Sequence, residues 1–156
     1  MKTLLAALAV TTALTLPGLA LARQVTLTTA LNPYGGNGAD LAFYVTDAQG
    51  AYQGSLWMAG GKSRYCEHLG DWYRASGGDL GEINGITGAS VGAGRELTIT
   101  LDLADTLFDA GYVLHIDAAV EDMRNSPSEI AVPLTTAGAG QANPGRRYIA
   151  SFAYGL

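Results

Sequence analysis

Residues 96–103 read ELTITLDL. Leu97, Ile99, Leu101 and Leu103 alternate with Thr98, Thr100 and Asp102. Side chains of a strand point to opposite faces in turn, so this run has one apolar face and one polar face. The β-branched threonines on the polar side suit a pleated surface. The stretch is therefore read as a strand with its leucines and isoleucine toward a core.

The same period recurs along the chain. In RQVTLTTAL, Val25 and Leu27 alternate with Thr26 and Thr28, and in DLAFYVTD, Leu41, Phe43 and Val45 share a face. YQGSLWM follows the turn Asp47–Gly50. In GYVLHIDAAVED, Tyr112, Leu114, Ile116, Ala118 and Val120 face inward, leaving His115 and Asp117 on the outward side, where a solvated histidine is expected. SEIAVPLTT is a weaker strand, and Pro133 marks it as an edge because proline has no N–H for a central ladder. RRYIASFAY closes the chain. One segment departs from this pattern. In SRYCEHLGDWYRASGG, Tyr65, Leu69, Trp72 and Tyr73 recur at helical spacing, and Gly77-Gly78 ends the run. About seven strands and one short helix predict an all-β fold, a small antiparallel immunoglobulin-like sandwich.

The first 22 residues, MKTLLAALAVTTALTLPGLALA, have the form of a signal peptide. Lys2 supplies the positive start, Leu4–Leu16 the apolar run, and Ala20-Leu21-Ala22 a small-x-small cleavage site. The run is broken by Pro17 and Gly18 and is shorter than the ~20 residues of a membrane span. Residues 1–22 are thus read as a leader and 23–156 as one sandwich domain, exported to the periplasm without membrane insertion. The formal charge of −5 becomes −6 once Lys2 is removed. That charge disfavours nucleic acid as a partner. A lone Cys66 leaves no internal disulfide and is read as a buried, inert thiol.

Few constellations carry chemistry. There is no Gly-x-Ser-x-Gly elbow, and His68 and His115 have no serine or cysteine placed beside them as a base requires, so no catalytic residues are assigned and the chain is read as a non-enzyme. Cys66, His68, His115, Met58 and Met123 are the residue types of a copper site without its spacing. Asp102, Asp105 and Asp109 lack the alternation of a calcium loop. No metal site is assigned. What remains is residues 84–94, NGITGASVGAG, which hold four glycines and no charge. Gly88 and Ala89 keep the chain slim around Thr87 and Ser90 and leave the Ser90 hydroxyl open to another enzyme.

The heptad Asn84-Gly85-Ile86-Thr87-Gly88-Ala89-Ser90 resembles the acceptor motif of bacterial flavin transferases, Asp-x-x-(Ser/Thr)-Gly-Ala-(Thr/Ser). The resemblance implies FMN joined by a phosphoester to Ser90, with Thr87, Gly88 and Ala89 matching and Asn84 standing where the motif has Asp. On that reading Asn84→Asp restores the motif and raises the yield of modification. Most of residues 23–154 resembles the exported family called domain of unknown function 2271, through Trp57, Lys62, Trp72, Tyr73 and the loop Thr87–Ser90. Leu101 and Leu103 depart from the Trp-Asp-Gly-x-Asp turn of many such modules. This second resemblance implies a periplasmic accessory of flavin-based electron transfer, partnered by a flavin transferase and a PepSY-type membrane redox protein. The rings of Trp72 and Tyr73 are candidates for stacking on the flavin, although a helical apolar face reads first as core. The alternative is a non-catalytic binding or structural module.

Cleavage between Ala22 and Arg23 is expected, so N-terminal sequencing of the exported protein should begin at Arg23. A start at Met1 would make the leader an anchor.

Overall fold

Strand β1 (Ala22–Leu31) pairs on one side with β5 (Glu96–Ala104) and on the other with β8 (Ile149–Gly155). The computed structural model describes residues 21–60 and 62–156. The expected signal peptide lies outside them except for Leu21 and Ala22. A second sheet runs in the order β4 (Thr87–Gly88), β3 (Tyr52–Ala59), β2 (Ala39–Thr46), β6 (Val113–Val120) and β7 (Ser126–Pro133). All pairs are antiparallel except β3–β4, where Met58 and Ala59 pair in parallel with Thr87 and Gly88. The all-β sandwich read from the alternation is the fold. The edge position of β7, expected from Pro133, is also found.

The core lies where the two inner faces meet. Val25 and Leu27 of the small sheet join Leu41, Phe43, Leu114, Ile116, Phe152 and Tyr154 in one buried cluster. Burial of such apolar surface is the main favourable term in folding. Strand β5 enters this core less deeply than its pattern suggests. Leu97, Ile99 and Leu101 are only partly buried, and Leu103 alone is fully covered. β5 is an outermost strand of the smaller sheet with β1 alone beside it, whereas the other outermost strand, β8, also has Asn143 bridged to Phe152 on the side away from β1.

The large sheet is buried on its other face as well. Residues 63–83 fold over it as a 3-10 turn (Ser63–His68), helix α1 (Gly70–Ala75) and a second 3-10 turn (Leu80–Ile83). Cys66, Leu69 and Trp72 pack there against Ala42, Tyr44, Met58 and Ala119. The expected single helical face is thereby replaced. Leu69 (φ −86°, ψ 69°) breaks the helix, and the buried side chains recur at a spacing of three, as a 3-10 turn requires. Tyr73 is 38% exposed instead. The roof also overturns the solvated reading of His115 and Asp117. Asp117 is fully buried, and His115 is half-buried, stacked on Tyr44 at 5.0 Å and bonded to Thr46 Oγ1 at 2.9 Å.

Two buried carboxylates tie the parts together. Asp117 accepts the N–H of Trp72 at 2.8 Å, the N–H of Ser128 at 2.7 Å and the Tyr44 hydroxyl at 3.3 Å. Glu129 Oε1 accepts the N–H groups of Arg146, Arg147, Tyr148 and Ile149 at 2.6–3.2 Å, which links β7 of one sheet to the start of β8 in the other. A buried carboxylate is tolerated when donors of this kind surround it.

Ile116→Ala should cost about 2–5 kcal/mol in urea unfolding, the range for emptying a fully buried site. Ile99→Ala, at the half-covered edge, should cost roughly half as much. Equal losses would show that β5 is covered on both sides.

Candidate functional site

The outer face of the large sheet runs past the end of the roof. In β2 the outward row is Asp40, Ala42, Tyr44 and Thr46, and in β6 it is His115, Asp117 and Ala119. Where the roof stops, Asp40 and Ala119 open onto a cleft of about 1000 Å³. Lys62 follows β3 and Glu121 follows β6, while Tyr65 and His68 come from the first 3-10 turn. One further wall is Thr87, Gly88, Ala89 and Ser90.

Backbone pairing holds that wall in place. Met58 N–H donates to Ile86 at 2.9 Å and Gly60 N–H to Gly88 at 2.8 Å. The chain then crosses to β2, where Ala39 and Val91 exchange bonds of 2.7 and 2.9 Å. Ile83 and Val91 are buried on either side of the loop. The loop is thus an edge strand and a bridge, not the free, slim segment its composition suggests. Ser90 is still exposed. Two glycines are required by close approach. A Cβ on Gly88 would lie 2.8 Å from the Trp57 ring, and one on Gly60 (φ +90°) would overlap the Asp40 carboxylate.

Asp40 is the perturbed acid of the cleft. Partial burial raises its pKa to about 6; Glu121 pushes the same way, while Lys62 and His68 oppose. Glu121 accepts the Tyr65 hydroxyl at 3.0 Å. Behind the cleft, burial raises the pKa of the Cys66 thiol, with Asp40 adding to the effect. A raised pKa leaves little thiolate, the reactive form.

Of the five residues expected from the acceptor motif, the structure brings four to the cleft. Asn84 is not among its lining residues; it is exposed and ends the second 3-10 turn, with its N–H on Gly81 O at 3.2 Å. Neither candidate stacking ring lines the cleft, in keeping with the core reading for Trp72. Trp72 is fully buried, with Nε1 donating to Ser55 Oγ at 2.9 Å, and Tyr73 lies elsewhere. Tyr65 is the aromatic ring that does line it. Asp40, Lys62, Tyr65 and Glu121 were missed as site residues. A usable signal was present for Asp40 and Glu121. Each is a charged residue at the end of an outward row, next in that row to Ala42 in β2 and to Ala119 in β6. Among the described residues, no group of three or more His, Cys, Asp or Glu is gathered as a metal site, and no helix is long and apolar enough to cross a membrane.

A family model described as "Predicted periplasmic protein (DUF2271)" matches residues 22–151, so the chain belongs to that family. No curated protein and no solved structure matches it.

The raised pKa of Asp40 has a signed consequence for stability. Between the ordinary carboxylate value and about 6, the folded state binds more protons than the unfolded state, so this group's contribution falls as pH rises through that window. Asp40→Asn should therefore raise Tm at pH 8 and change it little at pH 4. An equal shift at both values would show that ionisation of Asp40 is not the cause.

Proposed function

We propose that this periplasmic family member is a non-enzymatic accessory of flavin-based electron transfer, and that it carries FMN as a phosphoester on Ser90. The observation that carries the reading is one coincidence of place. The four residues of the acceptor-like motif that include the hydroxyl form a wall of the cleft, and Ser90 is exposed on it.

The residues present fit such a group. A cleft of about 1000 Å³ is at the upper end of the range for small-molecule sites. Lys62 offers a cation to a phosphodiester, Tyr65 offers a ring, and Asn37 and Asn125 offer both donors and acceptors. The flavin, when bound, supplies the electron chemistry. The protein holds and orients it and leaves one side of the cleft open to a partner. By the same reading the partners are a flavin transferase and a PepSY-type membrane redox protein.

A second reading, a non-catalytic binding module, draws on the charge of the same cleft. Asp40, Glu121 and Asp122 outnumber Lys62 and His68 there, which suits a polar ligand without a phosphate.

Co-expression with a bacterial flavin transferase separates the two. On the first reading the purified protein is yellow, fluoresces in denaturing gels and gains the mass of FMN less water. Ser90→Ala should abolish the adduct and Thr87→Ala should only weaken it. A colourless, unmodified wild type beside a working control acceptor would leave the binding module standing.

A further inference from the structure

Asn84 occupies the place of the motif's Asp, yet it is not among the residues lining the cleft. A carboxylate does line the cleft together with Ser90, and it comes from another strand. Ala39 and Val91 exchange both backbone bonds, so they are a hydrogen-bonded antiparallel pair. The next residues, Asp40 and Ser90, each lie one step along the chain from that bridged pair. Both residues line the cleft. Their flanks are glycines. The space beside Gly60 is filled by the Asp40 carboxylate, and a Cβ on Gly38 would lie 3.0 Å from Ser90 Oγ. No third side chain is needed, or fits, at those two positions.

We infer that Asp40 is the carboxylate partner of Ser90, taking the hydroxyl proton as the phosphoester forms and filling the role that residue 84 cannot fill from outside the cleft. The inference rests on the acceptor reading above. In the step, the Oγ–H bond of Ser90 breaks and its proton passes to the Asp40 carboxylate. The Oγ–P bond forms to the flavin phosphate of a flavin dinucleotide. The anhydride bond from that phosphorus to the second phosphate breaks, and the departing nucleotide keeps the electron pair. Asp40 later loses the proton to solvent. Nothing is oxidised or reduced. A pKa of about 6 suits the task, since such a group is ionised at neutral pH yet more basic than an ordinary aspartate. The charged and titratable groups facing it are Lys62 and His68, which favour its ionised form, Glu121, which opposes it, and Tyr65 and Asp122 on the same walls.

The test is the initial rate of adduct formation on the purified full chain, with flavin adenine dinucleotide and a transferase, followed by intact mass from pH 5 to pH 8. Each rate is divided by that of a control acceptor, so that the transferase's own pH dependence cancels. The wild-type ratio should rise through about pH 6 and level off. Asp40→Asn should lower it about tenfold or more and remove the inflection, Asp40→Glu should restore part of both, and Asn84→Asp should change it by less than roughly twofold. Near-ultraviolet circular dichroism checks that each variant is folded. If Asp40→Asn is modified at the wild-type ratio with the same pH profile, the inference fails and the acceptor reading survives. A gain from Asn84→Asp without a loss from Asp40→Asn has the same meaning. No adduct on the wild type, beside a modified control, overturns both.

Discussion

The buried carboxylate of Asp117 is the constraint on which the outer half of the molecule depends. Burial disfavours its charged form and raises its pKa, while the N–H groups of Trp72 and Ser128 pull the other way. Those two donors belong to different elements, α1 and β7, and the acceptor belongs to β6. One side chain thus fixes the roof, β6 and the edge strand β7 to one another. The roof in turn places Tyr65 and His68, which wall the cleft. Removing one partner of such an arrangement would leave a buried polar group unsatisfied, and that costs more than the bond itself contributes.

The cleft follows from the roof being too short. Residues 63–83 cover the outward rows of β2 and β6 as far as Ala42 and Asp117. Beyond them the same rows reach Asp40 and Ala119, where the cleft begins and Ala119 itself is still buried. The position is apolar enough to disfavour a charge and open enough to admit a ligand. A carboxylate with a raised pKa in such a place is a recurrent mark of function. Glycines matter here because of what lies against them. Gly88 rests on Trp57, and Gly60 yields its side-chain space to Asp40.

Legibility from sequence varied with the range of the interaction. The strands were readable because alternation is local, and ELTITLDL has it without interruption. The depth of β5 was not, because it depends on how many strands lie beside it. The helix was half readable. Its buried residues Leu69 and Trp72 were on the expected face, but Tyr65 and Tyr73 were replaced there by Cys66 once Leu69 broke the helix into two turns. The acceptor-like residues Thr87–Ser90 were visible as a motif, whereas Asp40, about fifty residues away in the chain, carried no mark of its partner.

By itself the sequence determined the all-β class, the apolar face of each strand, the edge role of β7 and the motif around Ser90. Each rests on a period or on neighbours within a few residues, which chain geometry alone translates into faces. Only the tertiary structure decided that the outward face of β6 is covered, that Tyr73 is half out of the core and that Asn84 lies off the cleft. It alone placed Asp40 and Ser90 on one cleft. Those outcomes depend on which distant segments come together, and a carboxylate such as Asp117 or Asp40 has the same local sequence signature whether water or a roof lies above it.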